Sequence, residues 1–104
     1  MILARVEGSL VATKKTPAMH GSKLLFVRPL ILENAGDRSL KEGKSTLVAV
    51  DQLGAGEGEV VLVAQGSSAR LAMDDKNKNS PVDAVVIGIV DSVDLAKLSI
   101  YSAR

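Results

Sequence analysis

Gly54-Ala55-Gly56-Glu57-Gly58-Glu59-Val60-Val61-Leu62-Val63-Ala64-Gln65-Gly66-Ser67-Ser68-Ala69-Arg70 is the stretch that decides the fold. A turn with glycine at three alternate positions feeds an apolar strand that ends at a further glycine. Glycine lets the backbone take positive φ and come close to another chain, which bulkier side chains forbid. The turn is therefore built for contact, either with a bound ligand or with a second copy of the same protein. Beyond it, residues 59–65 read as a strand. Gly66-Ser67-Ser68 then opens a short helix through Arg70 to Met73, with serine at the N-cap satisfying a free amide.

Working outward, residues 46–51 form a short strand, and residues 52–58 join it to the next in what looks like a β-hairpin with a long glycine loop. Residues 2–13 alternate polar Arg5, Glu7 and Ser9 with apolar neighbours, the period of a half-buried strand. Residues 14–22 are polar, contain Pro17 and Gly21, and read as a loop. Residues 23–32 are a β-rich run that bends at Pro29, which cannot donate to a ladder and implies an edge position or a bulge. Residues 34–45 are a turn-rich excursion. Downstream, residues 74–80 carry no apolar side chain and end at Pro81, a solvated loop. Residues 82–90 form the fifth strand, and residues 91–104 add a further short strand or helix. The chain is expected to be all-β, a small five-stranded barrel, closed or partly open, with one short helix and a C-terminal extension.

At 104 residues the chain is expected to form one domain. Phe26 and Tyr101 are its only aromatics, so a core must be built from Val, Leu, Ile and Ala, which favours sheet. The absence of cysteine removes disulfides, thiolate nucleophiles and sulfur-ligated metals. A net charge of +1 supplies little attraction toward a polyanion or an acidic membrane. Charges within the first seven residues argue against a signal peptide, and no apolar run is long enough for a membrane span. A soluble cytoplasmic protein is the expectation.

Motifs for chemistry are sought and mostly not found. Gly43-Lys44-Ser45 lacks the earlier glycine of a phosphate-binding loop, Arg38 standing in its place. The 54–58 loop fails the dinucleotide fingerprint, because Glu59 occupies the last glycine position and a strand follows. His20, the single histidine, has no nearby carboxylate or cysteine and makes a poor metal site. Ser67 and Ser68 have no base within local reach. Asp74-Asp75 lacks calcium-loop spacing. Small barrels that bind single-stranded nucleic acid use basic grooves and stacked aromatics, and this chain has neither. That class stands as the alternative reading.

The residues resemble the EutN/CcmL family, the pentameric vertex proteins of bacterial microcompartment shells. The likeness runs through Val6-Glu7-Gly8-Ser9-Leu10-Val11-Ala12-Thr13, Gly21-Ser22-Lys23-Leu24-Leu25 with Pro29 behind it, and Val48-Ala49-Val50-Asp51. It continues through the glycine loop and Gly66-Ser67-Ser68-Ala69-Arg70, and closes with Pro81-Val82-Asp83-Ala84-Val85-Val86-Ile87-Gly88-Ile89-Val90-Asp91. Ala4 departs from it, standing where the family often has glycine. The resemblance implies an OB-like barrel, a homo-pentamer, a structural rather than enzymatic role, no cofactor or metal, and hexameric shell proteins as partners, with no nucleic acid and no membrane. Subunit contact or a pore lining is expected at Gly54, Ala55, Gly56, Gly58 and Glu59, and at Gly66, Ser67, Ser68 and Arg70. Arg70 can make charge-assisted hydrogen bonds to a neighbour's carbonyl or carboxylate.

Overall fold

A computed structural model of the chain describes residues 1–12, 23–34, 36–73 and 82–103. Its strands are β1 (Ile2–Leu10), β2 (Lys23–Ile31), β3 (Lys41–Glu42), β4 (Leu47–Asp51), β5 (Val60–Gln65), β6 (Ala84–Ile89), β7 (Ser92–Leu95) and β8 (Leu98–Ser102), with one helix, α1 (Ser67–Ala72). Five strands run in the order β1-β5-β6-β4-β2, and β1 pairs again with β2, so the sheet closes into a barrel. Closure removes the free edges that an open sheet exposes. The expected all-β barrel with one short helix is what forms.

The barrel is narrow, and its filling explains the composition. Ala4, Val6, Leu25, Val27, Ala49, Ala55, Val61, Val63, Ala84 and Val86 make up the inner cluster. Five strands enclose little volume, so alanines and valines fit where aromatics would not. Phe26, 37% exposed, points outward from β2, and Tyr101 lies on β8 outside the barrel. A second cluster sits on the outer wall beneath α1: Val50, Ala64, Ala69, Met73, Val82 and Val85, with Leu24 and Ile87 packed against it. Period-two alternation sends Ala49 inward and Val48 and Val50 outward.

Several expectations need correction. Residues 46–51 and 59–65 do not form a hairpin: β4 pairs with β2 and, in parallel, with β6, while β5 pairs with β1 and β6. The reason is that β6, later in sequence, wedges between them and offers each an apolar wall. β1 stops at Leu10, and β3, a two-residue strand without periodicity, was not anticipated. Ser67 is already helical, so Gly66 rather than serine precedes the helix, and its carbonyl accepts Ala69 N–H at 3.1 Å. The tail past Val90 is a β-hairpin.

Pro29 lies in β2 where the β4 ladder has ended at Val27↔Leu47 and the β3 ladder begins at Leu30↔Glu42. Its carbonyl accepts Gly43 N–H at 2.8 Å, so its missing N–H faces that same gap and costs no ladder bond. The bulge of this pairing lies instead in β1, where Glu7 is the extra residue between Val6 and Gly8. The loop at 14–22 with His20, and Asp74-Asp75, lie outside the described residues.

Candidate functional site

The 52–58 connection is pinned by a side chain that sequence reading passed over. Asp51, at the end of β4, has a fully buried carboxylate, which accepts Leu53 N–H at 2.9 Å and Ala55 N–H at 2.8 Å. Lys23 Nζ lies 3.8 Å from the same carboxylate and donates to the Ala55 carbonyl at 3.4 Å. An aspartate that ends a strand just before a turn is a legible signal for this arrangement, because its side chain reaches amides two residues on. The effect is to fold Ala55 inward as a plug for one barrel mouth, where it is 1% exposed.

The second half of the loop is tied to the barrel wall. Gly58 N–H donates to the Val6 carbonyl at 2.8 Å, and Glu59 N–H to that of Gly56 at 3.1 Å. The Glu59 carboxylate turns back onto Gly56 N–H. Gly54 and Gly58 have φ of +82° and +89°, where an L side chain costs about 1–2 kcal/mol. An added Cβ at either would meet nothing of its own chain within 4 Å, so glycine is set there by conformation and the space beside it is open. At Gly56 the reason differs, for a Cβ would come within 3.1 Å of Glu59 Oε1.

The second candidate segment lies at the other end of the barrel. Gly66 N–H donates to the Asp83 carbonyl at 2.8 Å, so the start of α1 sits over the start of β6. Gly66, Ser67 and Ser68 are exposed, and Ala69 is fully buried beneath them. Arg70 belongs to α1, but its side chain lies outside the described residues. The structure therefore does not gather the nine candidates into one site. Gly54, Ala55, Gly56, Gly58 and Glu59 stand at one end of β5, and Gly66, Ser67, Ser68 and Arg70 at the other, separated by its six residues, about 20 Å of strand. The molecule has two unlike ends rather than one cleft.

Chemical equipment is sparse between them. Among the described residues no cluster of three or more His, Asp or Glu side chains is placed to hold a metal. No described helix is long and apolar enough to cross a membrane. The wall arginines are ion-paired, Arg5 to Glu42 at 2.6 Å and Arg28 to Glu7, so they form no free basic groove for a polyanion. What the arrangement offers is shape: a filled barrel, a fixed loop with open space beside it, and exposed small residues at the opposite pole.

Residues 1–91 match the family described as ethanolamine utilisation protein EutN/carboxysome. Among curated proteins, the microcompartment shell vertex protein PduN of Salmonella typhimurium is 44% identical over 93 residues, covering 89% of this chain and 98% of the relative. Among solved structures, CcmL of Gloeobacter violaceus superposes with a TM-score of 0.83 at 38% identity, covering 99% of this chain and 98% of that one. The pentameric microcompartment shell protein GrpN of Rhodospirillum rubrum superposes with a TM-score of 0.74 at 42% identity, covering 92% and 99%.

Proposed function

The chain belongs to the EutN/CcmL family, and from that premise we propose that its 104 residues act as one structural unit, a shell vertex protein that closes into a ring of five. The carrying observation is the match along residues 1–91, on a barrel whose ends are different surfaces. A ring forms when one surface of a subunit meets a different surface of the next, and the rotation between them fixes the number of copies. A flat hexagonal layer cannot close on itself without points of five-fold symmetry. A five-membered ring seated among hexameric facet proteins supplies such a point, in the shell of a bacterial microcompartment.

In this reading the chain carries out no reaction and holds no cofactor; its contribution is geometric. The loop residues Gly54, Gly56 and Gly58 and the helix-end residues Gly66, Ser67, Ser68 and Arg70 supply the two halves of the subunit contact. Ala55 and Glu59 act from within, the first as the plug and the second as the brace of the loop. Native mass spectrometry of the purified chain at micromolar concentration tests this. Five-subunit assemblies are the expected result, and a stable monomer overturns the ring.

A further inference from the structure

The hairpin β7–β8 lies beyond the 1–91 family match and has a face that no other described strand or helix completes. Register places Val93 opposite Tyr101 and Leu95 opposite Leu98, so these four share one face. Ser92 with Ser102 and Asp94 with Ser99 make the other, and Ile100 is the extra residue of a bulge. One apolar and one polar face is the pattern of a sheet with a layer packed on one side. Yet among the described residues β7 and β8 pair only with each other, Leu98 is 46% exposed, and no hairpin side chain joins either buried cluster. A lone two-stranded hairpin is marginal in water.

The barrel wall carries an exposed apolar face of its own. Phe26 on β2 and Val48 on β4 are cross-strand partners pointing outward, 37% and 40% exposed. Gly8 is paired with Phe26 on its other side, and a Cβ there would meet nothing within 4 Å, so the wall dips beside the ring. The hairpin is rooted where β6 ends, with Val90 N–H donating to the Val60 carbonyl at 2.8 Å.

We propose that the apolar face of the hairpin of one subunit lies on the Phe26–Val48 face of the next. This rests on the ring reading above. A head-to-tail contact needs two unlike, complementary surfaces on every subunit, and a second copy is the one partner that guarantees a recess for each hairpin. Both surfaces are apolar, and each is left exposed among the described residues. The hairpin then completes its second layer only in the assembled ring.

Because the chain has no cysteine, the contact can be trapped in the full-length protein. Two double variants, Val48→Cys with Leu98→Cys and Phe26→Cys with Tyr101→Cys, are assembled and treated with a short bismaleimide, with the four single variants alongside. The expected result is a denaturing-gel ladder that climbs to the ring size in at least one double variant, with single variants remaining monomeric. Rings intact by native mass spectrometry but no ladder from either pair overturn the hairpin placement and leave the ring reading standing. No rings before cross-linking overturns the ring reading, and this inference with it.

Discussion

The barrel and the C-terminal hairpin are written with the same alternation of apolar and polar residues, yet they finish differently. In the barrel every strand of the closed circuit has a neighbour on each side, and Val27, Val60, Val61, Val63 and Val85 have no solvent exposure. In the hairpin the alternation is interrupted only by the bulge at Ile100, but Leu98 remains 46% exposed. Sequence pattern thus specifies which face is to be covered and leaves open whether the cover comes from the same chain. The barrel holds the fold together; the hairpin is a surface for association.

The difference can be broken or sharpened by substitution. Leu25→Ala, inside the barrel, is expected to cost about 3 kcal/mol through lost contacts and a residual cavity. Urea unfolding at one fixed protein concentration measures it, since assembly itself adds apparent stability. A negligible loss would mean that the interior is not what holds the fold. Asp51→Ala strands the Leu53 and Ala55 amides and is expected to cost about 2 kcal/mol in the same measurement. Asp51→Asn keeps one acceptor and should lose less; equal losses would show that the carboxylate is not what fixes the loop.

Smaller effects belong to the hairpin and an exposed turn. Ala96 and Lys97, which join β7 to β8, have φ of 51° and 66°, a conformation that glycine adopts without strain. Lys97→Gly is expected to stabilise the hairpin by about 1 kcal/mol, read as slower hydrogen exchange of its amides while the barrel amides stay unchanged. Asp37 accepts Glu33 and Asn34 N–H at 2.8 and 2.9 Å, and the Asn34 bond leads in holding its carboxyl below the ordinary aspartate range. A lowered folded pKa gives a contribution that is complete above the ordinary aspartate pKa and lost as pH falls through the lowered value. An NMR titration should therefore move the Glu33 and Asn34 amides in that acidic window, with barrel and hairpin amides indifferent.

The five barrel strands were legible from their apolar patterns, and the helix from the glycine and serines that open it; Pro29 marked the gap between two ladders, while the bulge expected there lies in β1. The pairing of β4 and β5 was misread because nothing local reveals that residues 84–89 come to lie between them. Sequence proximity favoured a hairpin, and tertiary packing chose otherwise. The hairpin itself was left open between strand and helix because Ala96-Lys97 carries none of the asparagine or glycine that usually marks a two-residue turn. At the candidate contact, the glycine loop was visible as a turn. The Asp51 carboxylate that shapes it was passed over, although its place at the end of a strand just before a turn is a signal that finds it; only its full burial is not local information.

The position of β6 bears on how the subunit comes into being. Without that strand the remaining wall is an open ribbon in the order β5-β1-β2-β4, with two raw margins that invite pairing with other chains. Val82 and Val85, which α1 requires beneath it, arrive in the same late stretch. Closure therefore waits until residues 84–89 are in place, as a keystone waits for both arms of an arch. A chain cut before β6 has neither a closed barrel nor a floor for α1, and so has neither finished pole to offer a neighbour.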